Sequence, residues 1–160
     1  MRSPMNKPVL ALFSAATALF LTSCGPTPQL KVKEAVLTLS PVDSNPSSYH
    51  FNVYGGPTDV YLLRVSSPSA IRTEMHDVGV DPKTGAVTMK PMTRVFIPSG
   101  KKVEFKKGGK HVMMWGVNLV PRRLGEIETE FLFSNNERIL VKARVQEVDG
   151  TDPDEKKALN

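Results

Sequence analysis

Two histidines and five methionines share one stretch of this chain of 160 residues. The stretch runs from Met75-His76 through Met89 and Met92 to His111-Val112-Met113-Met114. Apart from Met1 and Met5, it holds every methionine of the sequence. Imidazole nitrogen and thioether sulfur form a soft ligand set, and thioethers favour Cu(I) over Zn(II), Mg(II) or Ca(II). The chemistry on offer is therefore the holding of a soft metal ion.

Other chemistries lack their residues. Cys24 is the only cysteine, which excludes an internal disulfide framework and any cysteine-based zinc site in the body of the chain. No motif sets up a Ser/His/Asp group, a pair of catalytic carboxylates or a phosphate loop, so an enzyme is not expected. Formal net charge is +5. Removal of Arg2 and Lys7 with a signal peptide leaves 19 Lys+Arg against 16 Asp+Glu, too mild a balance to point to nucleic acid.

The elements that must position these residues read as strands. Alternating or β-rich runs cover residues 31–39, 49–54, 59–66, 71–78, 86–90, 94–97, 102–106, 111–117, 126–134 and 138–148. Gly, Pro, Asn and Asp punctuate them, as in Gly55-Gly56-Pro57, Asp81-Pro82-Lys83-Thr84-Gly85 and Pro98-Ser99-Gly100. In 31–39, Val32, Glu34, Val36 and Thr38 alternate with Lys33, Ala35, Leu37 and Leu39. Short strands at this spacing predict a single all-β domain, a sandwich or barrel, over residues 32–148. No helical period is expected outside the N-terminus.

That N-terminus reads as an address. Arg2 and Lys7 precede an apolar run over residues 9–21, too short for a comfortable bilayer span but suited to a signal-peptide core. Leu21-Thr22-Ser23-Cys24 resembles a bacterial lipobox. It implies cleavage of residues 1–23 and lipidation of Cys24, an anchor whose strength grows by about 0.8 kcal/mol per buried methylene. The location implied is periplasmic or otherwise extracytoplasmic, at a membrane. Gly25 after the Cys resembles an outer-membrane sorting context in Gram-negative lipoproteins. Residues 24–31, with Gly25-Pro26-Thr27-Pro28, read as the lipidated Cys and a stiff tether. Residues 149–160 have little to bury and read as a disordered tail.

Strand periodicity sorts the candidate ligands by face, because residues i and i+2 point the same way. His111 and Met113 share one face, continued by Trp115, while Val112 and Met114 point to the other. In 71–78, His76 shares a face with Arg72 and Glu74, and Met75 lies opposite. His76 is thus the better ligand and Met75 the better core residue. A hairpin through residues 81–85 can bring His76 and Met89 close together. Taken singly, a Met in a strand is usually core filler, and a lone His is more often a surface or hydrogen-bonded group than a ligand.

Together these residues resemble the motif of the PCuAC family of periplasmic copper chaperones: a His or Met, a Met, then His-x-Met. Met89 and His111 are separated by 21 residues, which fits that family's spacing of about twenty-one. His76 and Met89 are separated by 12, against about ten in the family, with the extra length falling in residues 81–85. Flanking runs match as well: Ser66-Ser67-Pro68, Glu74-Met75-His76, Met89-Lys90-Pro91, Ile97-Pro98-Ser99-Gly100 and Lys107-Gly108-Gly109-Lys110-His111-Val112-Met113. The resemblance covers residues 32–148. It implies a cupredoxin-like Greek-key β-sandwich and Cu(I) ligation by His76, Met89, His111 and Met113. Met92 competes with Met89 for its place, and Met75 and Met114 stand as auxiliary thioethers or core residues.

The resemblance also implies delivery of copper towards the CuA centre of cytochrome c oxidase. Its partners would be a thiol-bearing assembly factor or the oxidase subunit itself. Copper buffering or resistance, and a structural β-sandwich lipoprotein without metal, are the competing roles. A blue-copper electron carrier would need a Cys ligand in the body, and none exists. Imidazole must be neutral to ligate, so such a site weakens in acid. The basic segment from Lys101 to Lys110 has two readings, a solvated strand face or a docking surface for an acidic partner.

Overall fold

The computed structural model describes residues 27–148. The expected signal peptide over 1–23, Cys24 and the expected tail over 149–160 lie outside the described residues.

Ten strands and one short helix follow in order. They are β1 (Lys31–Leu39), β2 (Ser47–Tyr54), β3 (Val60–Ser66), β4 (Arg72–Val80), β5 (Val87–Met92), β6 (Val95–Ile97), β7 (Lys102–Phe105), β8 (His111–Trp115), α1 (Leu119–Leu124), β9 (Glu126–Phe133) and β10 (Arg138–Glu147). The hydrogen-bonded order is β5-β4-β8-β2-β1-β10-β9-β3-β6. β8 pairs with the start of β2 and β7 with its end. Only β1 and β10 run parallel among these pairs.

The sheet folds over itself to close a core. Tyr49 and Phe51 of β2 point inward, as the alternation of that strand requires. Phe51 meets Phe131 of β9 edge-on, with ring centroids 4.8 Å apart, and stacks on Phe105 at 4.2 Å. The Tyr49 hydroxyl, buried with them, shares a 2.8 Å hydrogen bond with Thr129. Leu37, Leu62, Ile97, Val112, Met114 and Phe133 complete the buried set. The expected all-β sandwich holds, with strand ends shifted by no more than two residues.

Two local features depart from the expected pattern. In β1 the alternation breaks: Glu34 takes a positive φ of 56°, and the register against β2 shifts between Lys33 and Val36. Such a bulge inserts an extra residue and switches the phase. Val32 on one side of it and Leu37 on the other therefore both pack on the core. The second departure is α1, where no helix is expected. The Asn118 side chain caps it by accepting from Val120 N–H at 3.0 Å, and Gly125 ends it with φ 70°. Six residues with Pro121 in the first turn are too few for a helical period to stand out.

Candidate metal centre

β4 and β8 run side by side, and their register sets His76 directly opposite His111. The next pair in the same ladder on that face is Glu74 with Met113, and the one after it Arg72 with Trp115. Directly opposed residues of a ladder share a face. His76, His111, Met113 and Trp115 therefore stand on one surface, turned away from the core. The opposite surface of the same strands carries Met75, Val112 and Met114 into the core, at 5%, 0% and 0% exposure.

The two imidazoles are buried although they stand on the outer face, at 9% exposure for His76 and 5% for His111. Neighbours wall them in. Their ring centroids are 6.1 Å apart, and the Trp115 ring lies edge-on to His76 at 6.4 Å. Arg72 lies over Trp115 at 4.1 Å and reaches Glu74 at 3.6 Å, and Glu74 in turn lies 3.6 Å from Nε2 of His76. This chain of contacts steadies both the indole and the imidazole.

Hydrogen bonding decides which ring nitrogens are free. Nδ1 of His111 lies 2.9 Å from the Gly109 carbonyl oxygen, which can only accept. Nδ1 therefore carries the proton and Nε2 keeps the lone pair. On His76 the Glu74 carboxylate, 3.6 Å from Nε2, makes an electrostatic contact longer than a hydrogen bond, which favours the proton on Nε2 and the lone pair on Nδ1. That Nδ1 is buried and bonded to no protein atom. A buried polar nitrogen without a partner costs about 1–3 kcal/mol, a cost that a metal ion removes. Metal-ligating histidines characteristically have the other ring nitrogen held by a carboxylate or carbonyl, as the Gly109 carbonyl holds His111.

Further soft donors on this face are thioethers. Among the described residues, no group of three His, Cys, Asp or Glu side chains is placed to hold an ion. Met113 is half-buried on the imidazole face. The β4–β5 ladder runs unbroken from Met75 opposite Met92 to Val80 opposite Val87. His76 faces Pro91, and Val78 faces Met89. Met89 is thus on the imidazole face, diagonal to His76, where such positions lie about 7–8 Å apart and long side chains can still meet. It is 55% exposed. Met92 faces Met75 and packs against the core. The strand face therefore separates the two competing methionines, and it also sets Met75 and Met114 among the core residues. The long turn before β5 closes on itself: Asp81 N–H donates to the Ala86 carbonyl, and the Asp81 carboxylate accepts from Lys83 and Thr84 N–H. The extra spacing lengthens the hairpin without putting a bulge between the candidate ligands.

One residue of this surface escapes sequence reasoning. His50 of β2 is half-buried, with its ring centroid 6.4 Å from that of His111. It alternates with the core residues Tyr49 and Phe51, which marks it as outward-facing. Nothing local in the sequence reveals that β2 lies beside β8.

The basic segment is largely paired within the chain. Lys102 and Lys106 each lie 2.8 Å from Glu104, and Lys110 lies 3.2 Å from Asp77. The hydrogen bonds from Lys102 and then Lys106 hold the Glu104 carboxyl at a pKa of about 2. These pairings favour the reading as a solvated strand face.

Against known proteins, the family model described as LpqE-like matches residues 30–145. No curated protein matches the chain by sequence. Solved PCuAC domains are similar in fold. The copper-bound PCuAC domain from PmoF2 matches with a TM-score of 0.59 at 14% identity, over 77% of this chain and 97% of that one. The apo PCuAC domain from PmoF1 matches with a TM-score of 0.55 at 17% identity, over 77% and 98%. The solution structure of apo-DR1885 from Deinococcus radiodurans gives 0.54 at 14%, over 92% and 100%. At these identities the likeness is one of fold, and it is the fold that the His-x-Met resemblance implies.

Proposed function

We propose that this chain, which belongs to the LpqE-like lipoprotein family, is an extracytoplasmic carrier of Cu(I). In this reading His76 and His111 hold the ion between Nδ1 and Nε2, Met113 adds a thioether from the same face, and Met89 closes over it from the hairpin. The observation that carries the reading is the unpartnered, buried Nδ1 of His76 beside an imidazole whose Nε2 is left free. With metal–imidazole bonds of about 2 Å, rings 6.1 Å apart need little movement to share one ion. The fold adds support, since the copper-bound PmoF2 domain has it.

A set of neutral imidazoles and thioethers suits a carrier. It holds Cu(I) without a thiol that an oxidising compartment would consume. It also yields the ion to a thiolate, a softer ligand. The finer reading takes the recipient to be a thiol-bearing assembly factor or the CuA subunit of cytochrome c oxidase, with Cys24 as the lipid anchor at the membrane.

Copper K-edge absorption on the Cu(I)-loaded protein tests the site. A first shell of nitrogen and sulfur supports it, and a shell of nitrogen and oxygen alone refutes it. Deletion of the gene tests the destination. Loss of oxidase activity that added copper restores is expected for delivery, whereas unchanged respiration with raised copper sensitivity would mean buffering.

A further inference from the structure

The histidines of the described residues form one row across three neighbouring strands. Ser47 opposite Met114, Ser48 opposite Met113 and Tyr49 opposite Val112 fix the β2–β8 register, and its next step sets His50 beside His111. His111 stands in the middle of the row, 6.1 Å from His76 and 6.4 Å from His50 between ring centroids. We propose that His50 is a third imidazole ligand, through which this face takes copper as Cu(II) as well as Cu(I). The inference rests on the reading of His76 and His111 as copper ligands.

The argument is one of ligand preference and placement. Cu(II) favours nitrogen ligands in tetragonal geometry, and thioethers are poor donors to it. A site of two imidazoles and thioethers is therefore short of nitrogen for Cu(II), and His50 supplies it from the adjacent strand. Nδ1 of His111 is held by Gly109, so its one free nitrogen serves a single ion at a time. The ion either sits towards Met113 and Met89 with two imidazoles, or draws in His50 as a third.

His50 is available for this. Its Nε2 shares a local hydrogen bond of 3.0 Å with the Ser48 hydroxyl. The three rings do not close into a cage as they stand. Rotation of His50 away from Ser48 is the movement that binding requires.

The test compares the full chain in detergent with its His50→Ala and His50→Gln variants, using Cu(II) in air and Cu(I) under reducing, anaerobic conditions. Gln keeps a partner for Ser48, and thermal melts confirm folding of both. Even outer-shell partners of metal ligands are worth about 10–100-fold in affinity, so loss of a ligand should weaken Cu(II) binding at least about tenfold. Cu(I) affinity should stay within about threefold. The paramagnetic resonance spectrum should change from three coupled nitrogens to two. Unchanged Cu(II) affinity and spectrum in both variants, or no Cu(II) binding by the parent protein, would overturn the inference while leaving the Cu(I) reading intact. Cu(I) binding that survives His111→Ala would instead overturn the underlying reading, and this inference with it.

Discussion

The two faces of the β4–β8 ladder use the same residue types for opposite ends. On the inner face Met75 and Met114 are buried and fill space in the core with Val112. On the outer face Met113 stands one residue away from Met114 and joins two imidazoles with unshared nitrogens. β5 repeats the division, with Met92 on the core and Met89 on the imidazole side. A methionine's role here follows from its parity along the strand, because adjacent residues of a strand are exposed to different solvents. One face is a hydrocarbon interior, where a thioether is a flexible filler. The other is a polar surface, where it can be a ligand.

Substitutions that treat the two faces alike should separate them. The largest effect belongs to Met114→Ala, which empties a fully buried position and should cost about 2–5 kcal/mol in urea unfolding. Its folded fraction should bind Cu(I) much as the parent protein does. Met113→Ala should do the reverse, changing stability by no more than about 0.5–1 kcal/mol while weakening Cu(I) binding. If Met114→Ala abolished binding by folded protein, the division of labour would be broken.

The β5 pair sharpens the same contrast on a smaller scale. Met92→Ala should lose roughly 1–2 kcal/mol, less than a fully buried methionine. Met89→Ala should leave unfolding nearly unchanged and lower Cu(I) affinity by about tenfold. A loss of affinity with Met92→Ala and none with Met89→Ala would reverse their assignment.

The smallest effect belongs to Glu104 of β7, opposite Asn52 of β2. Its carboxyl is held from the ordinary value of 4.5 down to about 2 by Lys102 and Lys106. A depressed carboxylate contributes stability above its unfolded value and loses it as pH falls through the folded one. Thermal melts between pH 4.5 and 2 should therefore decline less steeply in Glu104→Gln than in the parent protein. Because the group is solvent-exposed, 0.5 M salt should shrink the difference. Cu(I) affinity should be untouched, as expected of a strand face whose lysines are paired within the chain.

Periodicity made most of this legible from the sequence. It reports, residue by residue, which side of a strand faces the core, and so it separated His111 and Met113 from Val112 and Met114. It also set Met75 opposite His76. It could not report which strands are neighbours. The parallel pairing of β1 with β10, and the placement of β2 beside β8, join segments far apart in the chain. His50 was lost for that reason. The choice between Met89 and Met92 needed the hairpin register, which a turn of uncertain length left open. The bulge at Glu34 changed the phase of β1 through a backbone conformation that its residue type does not announce. In α1 the signal was present, since Asn118 and Gly125 are a cap and a stop, but six residues around Pro121 show no period.

The most direct test is an anaerobic titration of the chain from residue 25 onward with Cu(I), against a competing chelator, beside the His111→Ala/Met113→Ala variant. The account predicts tight binding of one equivalent by the parent protein and its loss in the variant, with both folded by circular dichroism. Equal binding by the two, or no binding by either, would contradict it and leave the outer face of β8 as ordinary strand surface.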